Sequence, residues 1–74
     1  MEERVLELLQ EEFEQIDFSS DALVDDGILD SLTITEIIAL LTMEFGIAIP
    51  YEEITEENFN SVAGLAEMVE RLQA

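Results

Sequence analysis

Candidate side chains for chemistry gather in one short stretch: Asp21, Asp25, Asp26, Asp30 and Ser31, arranged around Gly27. Carboxylates spaced around a glycine suggest a calcium loop, but the register fails. With Gly27 at the sixth loop position, the first, third and twelfth fall on Ala22, Val24 and Thr33. Two apolar side chains and one hydroxyl then stand where oxygen ligands are needed. No specific metal site is expected, only loose attraction of divalent cations to an acidic loop. Ser31 stands in Gly27-Ile28-Leu29-Asp30-Ser31-Leu32. A nucleophile elbow would need glycines where Leu29 and Thr33 lie, and a histidine base that the chain lacks. Two uses of Ser31 remain. It is either the N-cap of the helix that follows or a hydroxyl offered to a modifying enzyme. A phosphodiester formed there would lie at a helix N-terminus, where free N–H groups and the macrodipole favour an anion.

The rest of the composition narrows the chemistry further. Seventy-four residues carry 19 acidic and 2 basic side chains, a net charge of −17, with no Cys and no His. That length predicts a single domain over residues 1–74, near the lower limit for an unaided apolar core. With 49% hydrophobic residues and a mean hydropathy of +0.21, the chain is no disordered acidic tail. Arg4 and Arg71 are its only cations, which leaves no footprint for nucleic acid or an anionic membrane. Basic protein surfaces are its natural partners. Without Cys, His or Lys there is no thiol, imidazole or Schiff-base chemistry, and a carboxylate pair would need a cleft that so short a chain rarely encloses. A non-catalytic protein is therefore expected. The absence of disulfides suits a cytoplasmic location. The acidic start, Met1-Glu2-Glu3-Arg4, does not read as a signal peptide. The longest apolar run, Ile37 to Leu41, is too short to span a bilayer.

The elements that must position Ser31 follow from periodicity. Val5, Leu6, Leu9, Phe13 and Ile16 share one side of a helix predicted from Glu2 to about Ile16, with Glu3, Glu7, Glu11 and Glu14 on the other. A long loop follows over Asp17 to Asp30, pinned by Phe18, Leu23, Ile28 and Leu29. A second helix runs from Ser31 to Phe45 and stops at Gly46. Ile47 to Pro50 reads as extended, and a short helical turn is expected near Thr55 to Asn58. The last helix starts from a Ser61 cap and aligns Val62, Leu65, Ala66, Val69 and Leu72. The predicted fold is all-α: a small four-helix bundle of three main helices and one short one, with a long first loop.

The second helix differs from its neighbours in having two apolar faces. Ile34, Ile37, Ile38, Leu41 and Phe45 form a core stripe, while Leu32, Ala39, Leu40 and Met43, with Glu36 among them, occupy the other side. Either the first or last helix covers part of that second face, or it docks a partner, with Met43 as an adaptable contact.

Asp30-Ser31-Leu32 resembles the Asp-Ser-Leu signature of the acyl carrier proteins and the related peptidyl and D-alanyl carrier proteins. Glu36, Glu44-Phe45-Gly46-Ile47 and Ile49-Pro50 fall where those families place a Glu, a helix end and an Ile-Pro step. The resemblance spans essentially the whole chain. It implies a bundle that performs no chemistry itself. Ser31 would receive 4′-phosphopantetheine from coenzyme A through a phosphopantetheinyl transferase, with Asp30 and Leu32 flanking it. The arm's thiol would carry acyl or aminoacyl groups as thioesters in fatty acid, polyketide, peptide or related biosynthesis. Implied partners are an acyl- or aminoacyl-loading ligase and downstream enzymes with basic or apolar docking surfaces, meeting Leu32, Glu36, Ala39, Leu40 and Met43. A monomer is expected. The charge suits brief, electrostatically steered encounters.

Fatty-acid carriers usually place acids after the signature Leu and along the second half of that helix. Here Thr33, Thr42 and Met43 stand at those positions. That departure, with Gly-Ile-Leu-Asp-Ser-Leu and Glu57-Asn58-Phe59, points towards a specialised carrier akin to D-alanyl or peptidyl types. The rival reading is an acidic helical adaptor for a basic protein, without a prosthetic group and with Ser31 as a cap only.

Overall fold

The computed structural model describes residues 1–74 and contains four helices and no strand. They are α1 (Glu2–Glu12), α2 (Ser31–Phe45), α3 (Glu56–Phe59) and α4 (Val62–Gln73), with one 3-10 turn at Tyr51–Glu53. The expected architecture of three main helices and one short one is the observed one. α4 is the shared support, packing against α1, α2 and α3. It buries Val62, Leu65, Ala66, Met68 and Val69. Met68, outside the predicted stripe, is fully buried because helices approach α4 from more than one side.

α1 is shorter than its hydrophobic period predicts, ending at Glu12 rather than near Ile16. Its last turn holds acids and no base, so carboxylates stand at the negative end of the helix dipole. Phe13 leaves helical geometry at φ −127°, ψ 67°. Phe13 and Ile16 still pack on the core from a turn, and Phe13 meets Phe18 edge-on with ring centroids 6.4 Å apart. In the loop, Phe18, Leu23 and Leu29 are buried as expected. Ile28 is not: the turn through Gly27 (φ 73°) leaves it exposed while Leu29 goes inside.

α2 ends where its sequence predicts, on Gly46 in the left-handed region (φ 61°, ψ 38°). Ser61 caps α4 by accepting the Gly64 N–H, and Thr55 caps α3 by accepting the Asn58 N–H. Gly64 also allows α3 to approach α4 closely. A Cβ there would lie 3.0 Å from the carbonyl oxygens of Asn58 and Glu57. The two arginines are used internally. Arg71 pairs with Glu53 at 2.7 Å, and Arg4 lies 3.7 Å from Glu44 with its guanidinium 5.8 Å from the centre of the Phe45 ring. Both pairs are substantially exposed and each contributes only about 0–1 kcal/mol.

Candidate functional site at the start of α2

The first loop delivers the chain to α2 through Asp30, which is extended (φ −96°, ψ 178°) and accepts the Thr33 N–H at 2.8 Å. Asp30 is thus the N-cap, and Ser31 is the first residue of the helix. The capping role open to Ser31 from sequence is filled by its neighbour. Asp30 serves because its carboxylate reaches the Thr33 amide while its backbone stays extended. The Thr33 N–H, and then the Thr33 hydroxyl, hold the Asp30 carboxyl below the ordinary carboxylate range. It is therefore ionised at neutral pH beside the positive end of α2.

Ser31 is exposed, and its hydroxyl takes no part in the hydrogen bonding of the protein, although its carbonyl accepts the Thr35 hydroxyl at 2.9 Å. The hydroxyl is free, reachable and fixed on a regular element. An anion attached to it would lie beside amides that the helix itself leaves unpaired. The residues present therefore fit a phosphodiester-linked group. No group of three or more acidic side chains is arranged to hold a metal ion.

Running away from Ser31, α2 exposes Leu32 (68%) and Met43 (83%), together with Glu36 and Ala39. Leu40 differs from these four. It is half-buried and packs on the core as well as facing outward. Glu36, Ala39, Leu40 and Met43 line an open groove whose remaining wall is Glu12, Phe13 and Glu44. Leu32 lies outside that groove. Of the two alternatives for this face, α1 covers a part: its end contributes one wall and leaves the floor open. The contributions of Glu12 and Phe13 were not legible in sequence, because they depend on where α1 stops. A smaller cleft of about 150 Å³, lined by Val24, Ile34, Ile54, Thr55, Glu56 and Phe59, opens one turn along α2 from Ser31. No helix is long and apolar enough to cross a membrane.

Comparison with known proteins agrees with this geometry. Residues 3–69 match the family model described as phosphopantetheine attachment site. The D-alanyl carrier proteins of Streptococcus pyogenes serotype M5 (strain Manfredo) and serotype M49 (strain NZ131) are each 35% identical over 75 residues, spanning 99% of this chain and 95% of theirs. No solved structure matches. Domains of this family carry a 4′-phosphopantetheine prosthetic group and are themselves non-catalytic. A free serine at the head of α2, a helical bundle built to hold it there, and these matches lead to one assignment: the chain belongs to the phosphopantetheine-attachment family of carrier proteins.

Proposed function

We propose that Ser31 is the attachment point for 4′-phosphopantetheine, flanked by Asp30 and Leu32, in a single carrier domain spanning residues 1–74. The observation that carries this reading is the division of labour at the head of α2: Asp30 caps the helix, and Ser31 has an exposed hydroxyl with no structural employment. Once attached, the arm supplies a thiol that holds cargo as a thioester. The chain's own residues do the rest. Asp30 and the first turn of α2 fix the attachment oxygen, and the groove along α2 offers apolar contact through Ala39, Leu40 and Met43 inside a rim of Glu12, Glu36 and Glu44. Leu32 supplies further apolar contact next to the attachment oxygen. A loading ligase with basic and apolar surface would engage that groove, steered by the charge.

The cargo we propose is aminoacyl, of the D-alanyl type, rather than a growing fatty acid. Support comes from the D-alanyl carrier relatives, from Thr33, Thr42 and Met43 in place of acids on α2, and from the small size of the cleft beside Ser31. The test of attachment is intact mass before and after incubation with coenzyme A, Mg²⁺ and a broad-specificity phosphopantetheinyl transferase. One phosphopantetheine should add to the wild type and none to Ser31→Ala, whose helix content should be unchanged because Asp30 retains the cap. No addition to a folded, initially unmodified wild type would leave the acidic-adaptor reading in its place. Cargo is tested by presenting the loaded protein to fatty-acid elongation enzymes. Extension as efficient as that of a generic fatty-acid carrier would refute the aminoacyl assignment.

A further inference from the structure

One side chain far from Ser31 in sequence is tied directly to the loop that delivers it. Asn60, at the end of α3, receives three successive loop amides. The Leu23 N–H donates to its main-chain carbonyl at 2.9 Å, and the Val24 and Asp25 N–H groups donate to its side-chain Oδ1 at 2.9 and 3.0 Å. Its own Nδ2 donates to Asp25 Oδ2 at 3.2 Å. The carboxamide is thereby used at both ends. The attachment continues towards the site, because the Leu29 N–H donates to the Leu23 carbonyl at 2.9 Å. A relay of main-chain hydrogen bonds thus runs from Asn60 through Leu23 to Leu29, two residues before Ser31. The Asp26 and Gly27 amides close the turn on Ala22 and Val24, at 2.8 and 3.0 Å.

The base of this clamp is firm. The Asn60 N–H donates to the Glu56 carbonyl at 2.8 Å, and its neighbour Phe59 is buried. The loop it holds has little else to order it near the site. Residues 25–28 are exposed, and between the clamp and Ser31 only Leu29 is buried. Few side chains could replace Asn60. Aspartate would accept both side-chain-bound amides but would set a second carboxylate against Asp25. Alanine would leave the Val24 and Asp25 amides to water, keeping only the main-chain bond from Leu23.

We propose that Asn60 is a positioning residue for the modification of Ser31, holding the first loop in the conformation that presents the hydroxyl to a transferase. This rests on the reading of Ser31 as the attachment point. In that step the Ser31 oxygen bonds to the pantetheine-side phosphorus of coenzyme A. The pyrophosphate P–O bond breaks, adenosine 3′,5′-bisphosphate leaves, and the serine proton passes to a base of the transferase. Asn60 touches none of these atoms. Its effect is on the fraction of molecules whose loop is ready to dock, so its loss raises the apparent KM for the carrier and leaves kcat nearly unchanged.

The experiment measures transferase kinetics, with intact mass as readout, on wild type, Asn60→Ala, Asn60→Asp, and Asn60→Asp combined with Asp25→Asn. KM should rise about tenfold in Asn60→Ala, with kcat within about twofold, the signature of a reduced competent fraction. Asn60→Asp should show a comparable rise. The exchanged pair again sets one amide donor against one carboxylate at unchanged net charge, and should return KM to near the wild-type value. Hydrogen exchange should speed up at the Val24 and Asp25 amides of Asn60→Ala, which lose the Oδ1 acceptor, and stay unchanged in the middle of α4. If Asn60→Ala does not fold, Asn60→Asp and the exchanged pair carry the test. An unchanged KM in the folded variants, or a loss that the exchanged pair does not recover, would overturn the inference while leaving the Ser31 reading intact. A wild type that accepts no phosphopantetheine would overturn the Ser31 reading itself, whatever the exchange data show.

Discussion

α2 and α4 are both strongly apolar helices, and the fold treats them in opposite ways. α4 buries five side chains from twelve residues, whereas α2 buries only Ile37 and Leu41 from fifteen. The difference is one of position. α4 is flanked by the other three helices, while α2 meets the bundle along one edge and leaves Leu32 and Met43 among the most exposed large apolar side chains of the molecule. Apolar residues on α4 hold the fold together; those on the outer side of α2 are left for something else to cover. A helix that heads the proposed attachment site and keeps an uncovered apolar face suits a carrier handed from one enzyme to another.

The difference is testable, and the largest effect belongs to α4. Leu65→Ala empties a fully buried position on the shared helix and should destabilise by about 2–5 kcal/mol. A domain of this length has roughly 4–11 kcal/mol in total, so chemical denaturation should show a large fall in midpoint or outright unfolding. A loss below about 1 kcal/mol would mean that α4 is not the support described above.

Met43→Glu is the corresponding change on α2. At 83% exposure it should alter stability by no more than about 0.5 kcal/mol. It should nevertheless lower the efficiency of the loading ligase about tenfold, equivalent to about 1.4 kcal/mol of contact. A melting temperature depressed as far as in Leu65→Ala would move Met43 into the core. Unchanged loading would remove the groove from the docking surface.

The smallest effect lies at the head of α2 and depends on pH. Asp30 is held below the ordinary carboxylate range by the Thr33 N–H and hydroxyl. Its native pKa lies under its unfolded one, so its contribution is complete above the unfolded value and is lost as pH falls through the native value. Asp30→Asn keeps an oxygen for the Thr33 amide but cannot titrate. Thermal melts of the two proteins should run nearly parallel above about pH 5 and differ below about pH 4, where only the wild type loses this contribution. Parallel curves throughout would show that Asp30 is no acid-labile cap.

Much of this was legible in the residues. The span of α2, its Gly46 stop, the Ser61 cap and the short helix after Thr55 follow from local pattern, because caps and helix periods act within a few residues. Whether another helix covered Leu32 and Met43 was left open. The misread features are those that a neighbouring element decides. Ile28 fits the apolar pattern of the loop but lies outside, and Met68 lies off the predicted stripe but is fully buried. α1 stops short because its terminal acids oppose its dipole, while Phe13 and Ile16 can still reach the core from a turn. Asn60 carries no role in the sequence pattern, and nothing within a few positions of it points to amides 35 and 36 residues away.

By itself, then, the sequence determined the chemistry available and the elements that bear it. It offers no thiol, imidazole or lysine amine, places an Asp-Ser-Leu step at the start of a helix, and carries an acidic surface around an apolar core. Residue type and short-range spacing suffice for that. Only the tertiary structure decided that Asp30 rather than Ser31 spends its side chain on the cap, that α1 supplies one wall of the α2 groove, and that Asn60 ties down the loop before the site. The last two join residues distant along the chain, and local pattern carries no information about which distant segments burial will bring together. The first turns on backbone geometry at a single junction, where either of two adjacent polar residues satisfies the same capping preference until the chain's path selects one.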